Sequence, residues 1–185
     1  MLTLVQLNNL RNAAKNAYQC ELATKVPCEL TLSQWALESG WGAHSPGNNC
    51  FGIKGDTKSG QLLHTYEYFT PEECTQWLGM KQGRTGSVAD ATPRPDGKLR
   101  YFVEDWFAVF ATLALCFIAR ARLFQTPRYL PLFTKFNSDN NFVALVQAIG
   151  PIYATDPNYA KEVLSIASIP QVQAAIKEVR AGVQG

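Results

Sequence analysis

Leu4, Leu7, Leu10, Ala14 and Ala17 recur at intervals of three and four, so the first 20 residues predict an amphipathic helix. Pro27 suits the first turn of a second helix, with Leu30, Trp35 and Leu37 as its apolar positions. The run Ser39-Gly40-Trp41-Gly42 ends that helix, because glycine accepts the left-handed turn on which helices close. From Gly42 to Gly60 the chain is rich in Gly, Asn, Ser and Pro and reads as an irregular loop. His64–Phe69 and Leu99–Val103 are β-prone. Between them lies a polar insert rich in Gly and Pro, with a short helix near Pro71–Leu78. Trp106, Val109, Phe110, Leu113 and Phe117 fall on one helical stripe, which predicts a core helix capped by Asp105 and running to about Arg122. Further helices are expected over Asn141–Ile149, ended by Gly150 and Pro151, then through Val163, Leu164 and Ile166, and over Gln171–Arg180.

These elements make an α+β chain, mostly α: a helical domain with a small β-hairpin lobe. Its length of 185 residues suits a single domain, 1–185, with the lobe and a mobile insert at about 60–103. A hydrophobic fraction of 46% argues against disorder, and a net charge of +2 is too small to indicate nucleic-acid binding. The longest apolar stretch, Phe107–Ala119, is shorter than the roughly 20 residues needed to span a bilayer. Met1–Leu10 shows no signal peptide. The cysteines Cys20, Cys28, Cys50, Cys74 and Cys116 form no CxxC pair and match no metal motif. Cys20 with Cys28, or Cys50 with Cys74, are open pairings, and Cys116 reads as a packed thiol.

Candidate chemistry centres on Glu38, inside ALESGWG at the end of the second helix. Apolar neighbours and the negative end of the helix dipole both push a carboxyl pKa upward, which is what a general acid requires. Glu67, in TYEY on the first β segment, is the candidate second carboxylate, with Glu72 and Glu73 as rivals. Trp41, Phe51, Tyr66, Tyr68, Tyr101, Tyr153 and Tyr159 flank Gly- or Asn-containing turns. Aromatic faces there suit sugar rings, and about half of them are expected to be ordinary packing. Asn48 and Asn49 either bind sugar amides or shape the loop. Only His44 and His64 are available for a histidine mechanism, and HExxH, P-loop and GxGxxG motifs are missing.

ALESGWG followed by NNCFGIKG, then TYEY, LRYF and YATDPNYA, resembles glycoside hydrolase family 73, with the motifs in the family's order over about Leu7–Ile169. The resemblance implies a lysozyme-like fold and cleavage of the β-1,4 bond after N-acetylglucosamine in peptidoglycan. It implies Glu38 as general acid, Glu67 as second carboxylate unless the substrate acetamido group takes that role, and Tyr68 and Tyr153 in the substrate site. Trp41, Asn49, Phe51 and Tyr159 complete the expected substrate-binding set. No cofactor and no metal are implied. The expected partner is the peptidoglycan glycan strand, met by a monomer outside the cytoplasm as a secreted, periplasmic or lysis-released protein. Alternatives on the same fold are a muramidase and a lytic transglycosylase; from another class, a non-catalytic wall-binding or assembly module. Two departures stand out: Cys50 replaces the usual aliphatic residue, and the insert Thr70–Lys98 is unusually rich in Gly and Pro.

Overall fold

The computed structural model describes residues 2–154 and 156–182. Thr155, within the YATDPNYA motif, lies outside the described residues. The chain divides into two compact units, Met1–Phe51 with Phe110–Gly185, and Gly52–Val109.

The first unit is helical. It contains α1 (Leu4–Thr24), α2 (Cys28–Ser39), α4 (Leu113–Leu123), α5 (Leu130–Asp139), α6 (Phe142–Tyr153), α7 (Tyr159–Ala167) and α8 (Pro170–Ala181). A capping box formed by Thr3 and Gln6 starts α1. The buried stripe of α1 begins at Leu10, not Leu4, and continues through Ala13, Ala14, Ala17 and Cys20. These small side chains let α1 pack closely against α2, α4 and α8. Almost every position of α2 from Cys28 to Ala36 is buried, so it is the central helix of this unit. Arg180 near the end of α8 reaches both Glu21 Oε1 and Glu29 Oε1 at 2.7 Å, tying α8 to α1 and α2.

The second unit holds β1 (Gly60–Phe69), α3 (Pro71–Gly79), β2 (Thr85–Asp90) and β3 (Leu99–Ala108). Its antiparallel sheet has the order β1-β3-β2. The unit extends past both ends of the expected lobe at about 60–103. α3 falls where the sequence predicts it, with Thr70 and Glu73 forming its capping box. β2, within the polar insert, carries no apolar alternation and was not legible.

Two expectations are corrected. Asp105 and Trp106 lie on β3, and the following helix begins only at Leu113, capped by Thr112. The helical stripe at Trp106–Phe110 was accidental. On β3, Tyr101, Val103, Asp105 and Phe107 alternate inward, and Asp105 meets its cationic partners only in that conformation. Likewise α6 continues through Gly150 and Pro151 to Tyr153. A Cβ on Gly150 would lie 2.9 Å from the Ala160 Cβ, so this glycine serves close packing of α6 on α7 rather than termination. α5 went unpredicted. The helix that the apolar stripe suggested at about 105–122 is thus shorter, and no helix among the described residues is long and apolar enough to cross a membrane.

Candidate active site

Glu38 is the penultimate residue of α2, and the backbone beyond it is unusual. Gly40, Trp41 and Gly42 all have positive φ, at 57°, 61° and 82°. A left-handed tryptophan costs on the order of 1 kcal/mol or more and persists only where its surroundings hold it. Several contacts do so. Asn9 Nδ2 donates to the Trp41 carbonyl at 2.9 Å. The Trp41 ring stands edge-on to Trp35 with centroids 6.2 Å apart. Ser39, wholly buried, accepts from the Gly42 N–H at 2.9 Å and donates to the Trp35 carbonyl. A Cβ on Gly42 would lie 3.0 Å from Trp35 Cζ2 and 3.3 Å from Asn9 Nδ2, so a side chain there would have to push these groups aside as well as adopt a left-handed backbone.

The Glu38 residue is exposed, and its carboxyl pKa is raised above the usual carboxylate range. Burial of the surroundings is the main cause, opposed by the Tyr159 hydroxyl and the Arg120 charge. Tyr159 Oη lies 3.5 Å from Glu38 Oε1, a long contact, and accepts a 2.6 Å hydrogen bond from Gln34 Nε2. Gln34 sits one turn before Glu38 on α2, so both face α7. Tyr153 stacks on Tyr159 with ring centroids 5.3 Å apart, and burial pushes the Tyr153 pKa up to about 12. Both phenols therefore stay protonated over the working pH range of an enzyme. The α6–α7 approach at Gly150 and Ala160 brings these two rings together.

Arg120 underlies this group. It is 2% exposed and has no carboxylate partner within ion-pair distance among the described residues. Its Nη1 reaches Thr31 Oγ1 at 3.3 Å, and its guanidinium lies 5.1 Å from the Phe51 ring centroid and 4.4 Å from that of Phe124. Nε and Nη2 lack a well-aligned partner, so the flanking rings and the nearby Tyr153 hydroxyl offset part of the cost of burying this cation. Gln34, Ser39 and Arg120 were missed from sequence. The i, i+4 spacing of Gln34 to Glu38, and a lone cation one turn after Cys116 and Phe117, were the available signals.

The remaining candidates differ in setting. Asn49 is buried. Phe51 is 9% exposed and packs against Phe117 at 5.5 Å, so its ring supports the site from below. Glu67 and Tyr68 belong to the other unit, on β1. Strand alternation puts them on opposite faces of the sheet. Glu67 pairs with Lys54 Nζ at 3.0 Å. The same Nζ lies 2.9 Å from Asp105 Oδ2, close enough to pair although not aligned as a hydrogen bond. Asp105 is buried, which opposes its charge. The Arg84 hydrogen bond at 2.6 Å, with Lys54 and the Trp106 N–H, outweighs that and holds its pKa below the usual range. Tyr68 lies on the exposed face, beneath the Arg94 guanidinium at 4.5 Å. Among the described residues no three His, Cys, Asp or Glu side chains gather as a metal site.

Residues 14–170 match the glucosaminidase family model, described as mannosyl-glycoprotein endo-beta-N-acetylglucosaminidase. The chain is 30% identical over 164 residues to the peptidoglycan hydrolase FlgJ of Salmonella typhimurium, covering 83% of this chain and 42% of that protein. It thus spans less than half of that relative's length. The fold resembles the catalytic domain of the autolysin Auto from Listeria monocytogenes, with a TM-score of 0.70 at 18% identity over 95% of this chain and 89% of that one. It also resembles the glycoside hydrolase domain of Salmonella FlgJ in a C-terminally truncated form, with a TM-score of 0.60 at 23% identity over 91% and 98% of the two chains. With the family model covering most of its length, from α1 to the start of α8, this chain belongs to the glucosaminidase family of glycoside hydrolases.

Proposed function

We propose that this protein is an endo-β-N-acetylglucosaminidase that cleaves the β-1,4 bond after N-acetylglucosamine in peptidoglycan strands, outside the cytoplasm. The observation that carries the reading is the Glu38 carboxyl. It is solvent-accessible, has a raised pKa, and is held at the end of α2 by a strained turn and a Tyr159–Gln34 pair.

Protonated Glu38 donates its proton to the glycosidic oxygen as the bond to the anomeric carbon breaks. The Tyr159 hydroxyl, itself a hydrogen-bond acceptor from Gln34, orients the carboxyl and accommodates the carboxylate that proton transfer leaves. Trp41 and Tyr153 offer ring faces to sugar at the ends of α2 and α6. Either Glu67 activates a water that attacks the anomeric carbon, or the substrate's acetamido oxygen attacks that carbon as the glycosidic bond breaks, forming an oxazolinium ion that water then opens. Lys54 keeps Glu67 in a fixed place for the first role. On β1, Glu67 and Tyr68 face opposite sides of the sheet, so the route that uses Glu67 gives Tyr68 no part at the reacting carbon.

The test is a digest of purified peptidoglycan, followed by borohydride reduction and mass spectrometry of the products. Reduced N-acetylglucosamine at the new ends is expected. Reduced N-acetylmuramic acid would make the protein a muramidase, and anhydro-muramic ends a transglycosylase. An undigested wall, with folded protein bound to it, would favour a binding module. A parallel digest with Glu67→Gln separates the two routes for water: loss matching that of Glu38→Gln requires the second carboxylate, and a small loss points to the acetamido group.

A further inference from the structure

Cys50 and Cys116 are 66 positions apart, both buried, and their sulfurs touch at 3.5 Å. Their place in the chain gives the contact meaning. The chain leaves the helical unit after Phe51 and re-enters it at Phe110, so the whole second unit, Gly52–Val109, lies between the two cysteines. The crossing is already clasped. The Phe110 N–H donates to the Gly47 carbonyl at 2.8 Å, and Asn48 Nδ2 donates to the Phe110 carbonyl at 2.8 Å. One cysteine follows Asn48 by two residues; the other stands on the first turn of α4.

We propose that Cys50 and Cys116 form a disulfide that staples the neck of the inserted unit when the protein meets an oxidising environment. A bonded pair needs the sulfurs at about 2 Å, an approach of roughly 1.5 Å from the present contact. Cys20 and Cys28 are also buried, but in the present arrangement Cys20 shares its sulfur contact with Thr24, not with another thiol. Cys74 packs with Tyr101 and Val103 in the other unit. The chemistry of the pair is favourable. The contact between the two sulfurs, with the Arg120 charge nearby, pushes the Cys116 thiol pKa down and the Cys50 thiol pKa up, so Cys116 is the easier of the two to ionise. The Cys116 thiolate attacks one sulfur of a disulfide donor, expelling one thiolate and forming a mixed disulfide. The Cys50 thiolate then attacks the Cys116 sulfur and expels the second. Net, one donor disulfide becomes two thiols while the protein dithiol loses two protons and two electrons. Because both sulfurs are buried, the exchange occurs during folding or transient opening. A bond closing so long a loop removes much entropy from the unfolded chain.

The full chain is denatured and reduced, refolded in a glutathione buffer of oxidising poise, alkylated, digested with trypsin and a glutamate-specific protease, which cuts at Glu29 and Glu38 between Cys28 and Cys50, and mapped by mass spectrometry. The expected result is three alkylated cysteines and a Cys50–Cys116 linked peptide. The melting temperature should stand about 5–10 °C above that of the dithiothreitol-treated protein. Five alkylated cysteines in the folded, refolded protein, or a link between other cysteines, would overturn the proposal. So would a Cys116→Ala protein whose melting temperature responds to the oxidant as the wild type does. Because the readouts are thiol chemistry and melting, they hold or fail independently of which glycosidic bond the enzyme cuts.

Discussion

At the scale of single residues, Glu38 combines two costs that serve one purpose. Its buried surroundings disfavour its charge although the residue reaches solvent, and the C-terminal end of α2 disfavours it further. The raised pKa has a defined sign in stability. A carboxyl whose folded pKa lies above its unfolded value contributes stability that is present below the unfolded pKa and lost as pH rises through the folded one. Glu38→Gln is therefore expected to melt at or above wild type near pH 7, with the gap closing toward pH 4, as scanning calorimetry across pH would measure. Its kcat should fall by about 10²–10⁴-fold. In the wild type, activity should decline with rising pH at a point above the ordinary carboxylate range, where Glu38 loses its proton. A variant that keeps near-normal turnover would remove Glu38 from the acid role. The carboxyl itself was legible, because ALESGWG places an acid between apolar residues and two glycines. Its partners were not: Tyr159 and Arg120 lie more than 80 positions away, and no local pattern links them to α2.

At the scale of elements, the end of α2 and the meeting of α6 with α7 build the site, and each carries a tightly surrounded glycine. Gly42 faces Trp35 and Asn9 at a φ of +82°. Gly42→Ala is expected to cost about 1–2 kcal/mol from the left-handed backbone alone, read as a lower urea midpoint. Because the displaced turn carries Trp41 and adjoins Glu38, kcat should fall more than the population of folded protein does. A variant with lost stability but unchanged kcat would separate the turn from the acid's placement. Helix spacing made α1, α7 and α8 readable, since each buries one stripe, and α2 was marked by Pro27 at its start and the glycines at its end. Gly150-Pro151 misled, because the same dipeptide that ends many helices here permits close helix contact. At Asp105–Phe110 the residues fit period 3.6 and period 2 equally well, and pairing with β1 decided in favour of the strand.

For the molecule as a whole, two units are held by different physics. The helical unit rests on small-residue helix packing and aromatic clusters, whereas the sheet unit holds a buried Asp105–Arg84 ion pair that the more exposed Lys54 also reaches. Asp105→Asn leaves Arg84, whose side chain is 7% exposed, without its charge partner. The expected loss is roughly 3–5 kcal/mol, seen in urea unfolding and in protease cleavage within Gly52–Val109. Asp105 has a lowered pKa, so its contribution is present above the unfolded carboxylate pKa and is lost as pH falls through the folded value. The wild type's advantage over Asp105→Asn should therefore shrink below about pH 4. By itself the sequence determined the family, the helical character and the carboxyl proposed here as the acid, because these are written in short motifs and in periodicity along one element. Only the tertiary structure decided which aromatics line the acid and which lie beneath it, that Glu67 and Tyr68 face opposite ways, and that Cys50 meets Cys116. Those relations join residues tens of positions apart, and contacts of that kind exist only once the chain has packed.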